Sequence, residues 1–152
     1  MRTLAMTELA LLALLAAPLA AHAQTPPAAA PAARTPSPPG AEVYIISPKN
    51  GAKVKSPALV QFGLKGMGVA PAGVKFENSG HHHLLIDTDA PADMGAPLPA
   101  TDNIKHFGKG QTETSLTLTP GKHTLQLLLG DQNHIPHDPP VISKKITITV
   151  EP

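Results

Sequence analysis

Imidazole is the one side chain in this sequence with an evident chemical specialty. The chain carries eight histidines, no cysteine and no tryptophan, so thiolate chemistry is excluded and nitrogen ligation is not. Three histidines are consecutive: His81, His82 and His83 lead directly into the apolar run Leu84-Leu85-Ile86. A second group, His134 and His137, flanks Ile135-Pro136, and His106 stands alone between the two groups. Neutral imidazole suits Zn(II), Cu(II) and Ni(II). Cu(I) ranks below them, because it prefers sulfur and only Met67 and Met94 offer any beyond the first 23 residues. Asp131, Glu113 and Asp138 are the carboxylates expected to orient the rings by hydrogen bonding. No general base, nucleophile or substrate pocket is recognisable, so the expectation is a binding protein and not an enzyme.

Such residues act together only if the fold gathers them, and strand patterns dominate the chain. Residues 43–46 are β-rich and end in Ser47-Pro48-Lys49-Asn50-Gly51, a tight-turn sequence. Residues 58–64 alternate, with Val60, Phe62 and Leu64 on one face. Residues 82–87 read as a buried central strand. Alternation returns at 112–118 and, after the Pro120-Gly121 turn, at 122–129 and 142–150. No stretch has helical period with caps. Short strands separated by Gly and Pro turns predict an all-β, antiparallel β-sandwich, immunoglobulin-like in architecture but lacking the cysteine pair and buried tryptophan. The Pro- and Gly-rich segment 88–110 is expected to hold one short edge strand.

In that topology, strands 82–87 and 122–129 are antiparallel neighbours. The histidine triplet then lies beside the loop carrying Asp131, His134 and His137, and His106 arrives through the loop before strand 112–118. The predicted metal ligands are therefore His81, His83, His106, His134 and His137. Alternate strand residues face opposite ways, so the triplet supplies one or two ligands and not three. Pro136 is expected to hold His134 and His137 on one side of a tight loop. His123 falls at the opposite pole, where a structural role is expected. The rival reading is a structural or interaction module whose histidines bond loop carbonyls or recognise a non-metal ligand.

The N-terminal residues read as a secretory signal. Arg2 precedes the apolar run Leu9–Leu19, and Ala21-His22-Ala23 is a small-x-small cleavage site. Residues 1–23 are expected to be removed on export to a bacterial periplasm or beyond. Residues 24–41 are expected to be a disordered or semi-rigid Pro/Ala-rich leader without a core, and 42–152 suffice for one β-sandwich domain. No membrane anchor is expected after cleavage. A net charge of +1 with scattered lysines argues against a nucleic-acid surface. A periplasmic protein or polymer remains the expected kind of partner. Gly108-Lys109-Gly110 lacks the following helix and spacing of a phosphate cradle, although Lys105 and Lys109 could draw an anion towards His106.

Four strings of residues resemble a bacterial domain of unknown function, DUF4399. They are His81-His82-His83-Leu84-Leu85-Ile86-Asp87; His106 to Thr114; Pro120 to Asp131; and His134-Ile135-Pro136-His137 with Pro139 to Ser143. The resemblance covers most of the chain after about Glu42 and implies an exported β-rich domain. It brings no established activity, so function rests on the site.

Overall fold

The computed structural model describes residues 33–152, and these contain strands and no helix. The expected signal segment and the leader as far as residue 32 lie outside the described residues. The strands are β1 (Glu42–Ser47), β2 (Lys53–Val54), β3 (Ala58–Lys65), β4 (Gly68–Val69), β5 (Ser79–Ile86), β6 (Ile104–His106), β7 (Glu113–Leu116), β8 (Gly121–Gly130) and β9 (Ile146–Val150). One sheet has the order β1-β3-β7. The other has the order β2-β9-β8-β5-β4, with β6 also paired to β5.

Alternation explains the packing. Val43, Val60, Phe62 and Leu116 from the small sheet meet Leu84, Ile86, Leu125, Leu127, Leu129 and Ile148 from the large one, forming a single core between the layers. Leu59 and Gln61 of β3 and Thr147 and Thr149 of β9 occupy intervening positions and are exposed or half-buried. The fold is the expected all-β sandwich.

β5 departs from that half-buried pattern, because every one of its eight residues is buried. Its inner face, carrying His82, Leu84 and Ile86, turns to the sandwich core; the ring of His82 lies 5.2 Å from that of Phe62. Its outer face carries His81, His83 and Leu85. Leu85 and Leu128 form a second, smaller core with Leu98 and Ile104. The Pro/Ala-rich segment after β5 thus acts as a cover over the outer face, tied down where the Leu98 N–H donates to the His134 carbonyl at 2.9 Å.

The short strands β2 and β4 add to the sequence reading, β7 stops at Leu116 and not at 118, and two strands start elsewhere than expected. β5 begins at Ser79 and not near His82, so the triplet lies within the strand. β9 begins at Ile146 and not at 142. The reason is Ser143, whose hydroxyl accepts the Leu127 N–H at 2.8 Å in place of a ladder bond. The edge strand expected within 88–110 is β6, and it joins β5.

Leu127 is completely buried, whereas Leu59 is 50% exposed on the outside of the small sheet. Leu127→Ala should therefore cost about 2–5 kcal/mol in urea unfolding. Leu59→Ala should stay within roughly 0.5 kcal/mol of the parent. Equal losses would contradict the core assignment.

Candidate metal centre

Strand register assembles the cluster. β5 and β8 are antiparallel, with His81 opposite Gly130 and His83 opposite Leu128. β6 adds to the other edge of β5 and sets His106 directly opposite His83. The loop after β8 then folds back and brings His134 over the same face. His81, His83, His106 and His134 each present a ring nitrogen, and these four atoms lie within 4.8 Å of one another. His106 is reached by its own strand and not through the loop before β7, so the expected convergence occurs by a different route.

The rings touch as a group. Their centroids are 4.8 Å apart for His81 and His83, 5.1 Å for His83 and His106, and 4.6 Å for His106 and His134. His81 Nε2 and His134 Nδ1 are 3.1 Å apart, a hydrogen bond between imidazoles. Ligand nitrogens 2.0–2.1 Å from a tetrahedral ion stand about 3.4 Å from one another. The hydrogen-bonded pair stands close to that spacing, and all four nitrogens lie within 4.8 Å of one another. His81 and His83 are fully buried, His134 is half-buried and His106 is exposed, so the cluster meets solvent on the side of His106 and His134.

Glycines make room for the rings. A Cβ on Gly130 would stand 2.8 Å from Cε1 of His83, and one on Gly108 would overlap the His106 ring. Neither glycine is among the ligands that composition and spacing suggest, because a missing side chain leaves no chemical signature. Their proximity to the histidines along the chain was the available hint.

Burial sets the charge state. Desolvation, reinforced by the neighbouring His106 and His134, holds His81 down at about 4. Desolvation, together with repulsion from His81, His106 and His134, holds His83 at about 3. His106 is lowered by burial and by His134. His82, in the core, is lowered to about 4 by burial, only partly opposed by the backbone of Gln111. Neutral imidazole with a free lone pair is the form a metal ion requires.

Other predicted site residues lie elsewhere. Pro136, bridged to Gly130, does not keep His137 beside His134. An added Cβ at Gly80, which faces the same way as His82, would meet the His137 ring at 3.0 Å. His137 is thus on the inner side of the sheet, with Nε2 3.2 Å from the Ser79 carbonyl oxygen, and it does not join the four. Glu113 sits on β7 and accepts from Gln61 at 3.1 Å, in the other sheet. Asp138 faces Arg34 at 3.4 Å. Neither carboxylate orients a cluster ring. Asp131 does act at the site, but through the backbone: Oδ1 accepts from the N–H groups of Asn133 and Ile135 at 2.8 and 3.0 Å. His123 lies at the far pole as expected. Its Nδ1 is 2.7 Å from Asp87 and its Nε2 2.8 Å from the Thr119 carbonyl, and the hydrogen bond to Asp87 raises its pKa.

A family model described as a domain of unknown function, DUF4399, matches residues 60–151. The chain belongs to this family. The matched span holds all four clustered histidines and every strand from β5 to β9. No curated protein and no solved structure matches the chain, so the DUF4399 cluster is read from its own geometry.

The buried histidines make stability fall in acid. Their folded pKa values lie below the unfolded value of about 6.5, so the unfolded chain binds protons first as pH drops. The contribution of these three groups is complete above 6.5 and declines as pH falls from there towards about 3. Three such groups give a slope of about 4 kcal/mol per pH unit at its steepest. His123 has the opposite sign: its contribution is present below 6.5 and fades as pH rises through its raised value. His82→Leu, which leaves an apolar group beside Phe62, should lower the acid-unfolding midpoint and remove about one proton from the slope. An unchanged midpoint would contradict a neutral, buried His82.

Proposed function

We propose that this protein is an exported metal-binding protein that holds one divalent transition-metal ion, Zn(II), Cu(II) or Ni(II), through His81, His83, His106 and His134. The observation that carries this reading is His83. Its imidazole is fully buried, and neither ring nitrogen has a hydrogen-bond partner among the described residues. An unpaired buried polar atom costs about 1–3 kcal/mol, and ligation of an ion would satisfy one of the two. A purely structural role predicts rings paired with backbone carbonyls. His123 and His137 are of that kind. His82 and His83 are both without partners, and of the two only His83 stands among three further ring nitrogens within 4.8 Å.

The chemistry of the group favours holding an ion over using one. Its four donors are all imidazole nitrogens, and the nearby Asp131 carboxylate is taken up by backbone N–H groups. Four neutral nitrogens favour Cu(II) over Zn(II) and Ni(II) on intrinsic affinity. Export is supported by Arg2, the Leu9–Leu19 run and Ala21-His22-Ala23. Sequestration, sensing or delivery of the ion outside the cytoplasm are roles that fit.

Calorimetric titration of the purified protein with each of the three ions tests the proposal. One ion per chain is expected, with binding abolished in His83→Ala and preserved in His82→Leu and His123→Gln. Because burial holds His81 and His83 neutral below 6.5, those two ligands should stay available to the ion at pH values where an ordinary histidine is protonated. Absence of binding, or binding indifferent to His83→Ala, would sink this function.

A further inference from the structure

We propose that Thr35 and Arg34 are positioning residues for the metal centre, and that the segment before β1 clasps the loop carrying His134. This inference rests on the metal-binding reading of the four-histidine cluster. Three of those histidines are fixed by sheet register: His81 and His83 by β8, His83 and His106 by the β5–β6 pairing. His134 has no such support. It lies outside any strand, with φ at 67°, a backbone region uncommon for a non-glycine residue although histidine enters it more readily than most.

Asp131 supports that conformation. Besides receiving Asn133 and Ile135 on Oδ1, which brackets His134 on both sides, its carbonyl accepts the His134 N–H at 2.9 Å. Its remaining carboxylate oxygen, Oδ2, accepts the Thr35 hydroxyl at 2.6 Å. Arg34 donates to the Pro136 carbonyl at 3.0 Å and to the His137 carbonyl. The main chain completes the grip: the Asp138 N–H donates to Thr35 O at 2.9 Å, and the Ser37 N–H donates to Asp138 O at 3.0 Å. Composition alone assigns residues 24–41 to a leader, yet this part of it is hydrogen-bonded along the outside of the metal loop.

Asp131 is buried, and Oδ2 deprived of the Thr35 hydroxyl loses the side-chain donor it has in the native loop. The carboxylate would turn to recover a donor, and the bracket around His134 would loosen with it. Loss of a partner behind a metal ligand ordinarily weakens binding by about 10–100-fold. Because Thr35 acts through Asp131 and the backbone, the lower end of that range is expected.

The test is titration of the purified protein with Cu(II) against a competing chelator, with the visible and electron paramagnetic resonance spectra of the bound copper. Thr35→Val and Arg34→Ala should each bind Cu(II) about 10-fold more weakly and with a changed spectrum. Thr35→Ser, which restores the hydroxyl, should return both affinity and spectrum. Wild-type affinity and spectrum in Thr35→Val would overturn the proposal, whatever happens to its melting temperature. Should the parent protein bind none of Cu(II), Zn(II) and Ni(II), the metal reading fails, and amide exchange at Asn133 and Ile135 decides the clasp. Faster exchange there in Thr35→Val upholds it, and unchanged exchange overturns it.

Discussion

Burial of β5 on both faces is the constraint on which the rest of this structure depends. A strand exposes alternate residues to opposite sides, so a histidine triplet in a strand must divide. Here the inner share, His82, enters the sandwich core, and the outer share, His81 and His83, enters the cluster. Because both sides are dry, all three rings are held neutral. The same dryness leaves the nitrogens of His83 without partners. Ligand geometry and protonation state therefore share one cause, which is how completely the strand is covered.

The outer cover is assembled from distant parts of the chain. The segment between β5 and β6 supplies Leu98, and β6 supplies Ile104 and delivers His106 to the edge of the strand. The loop after β8 supplies His134, and residues Arg34 to Ser37 hold that loop from outside. The sandwich itself is therefore a platform. Its large sheet fixes three imidazoles through backbone register, which is the more precise way to place ligands. The fourth arrives on a loop and needs external support.

Much of this was legible in the sequence, and the illegible remainder has physical reasons. Alternation at Val60, Phe62 and Leu64 and at Leu125, Leu127 and Leu129 marks the core strands. The same rule correctly splits the triplet. Pairing of β5 with β8 follows from the sandwich topology, so the approach of His134 to His81 could be anticipated. The fate of His137 could not, because Pro136 bridges to Gly130 and carries the next residue to the other face of the sheet. Glu113 failed as a supporting carboxylate because its strand belongs to the opposite layer. Gly108 and Gly130 matter through what they lack. Thr35 and Arg34 sit in a proline-rich stretch whose composition signals only an inability to form a core. Composition carries no information about contacts with a loop 96 residues away.

The most direct measurement is anomalous diffraction from crystals grown with one equivalent of Zn(II) or Cu(II) per chain. The account predicts one dominant anomalous peak on the outer face of β5, with nitrogens of His81, His83, His106 and His134 at about 2.0–2.1 Å. A strong peak elsewhere, or an ordered cluster with all four rings free of metal, would contradict it.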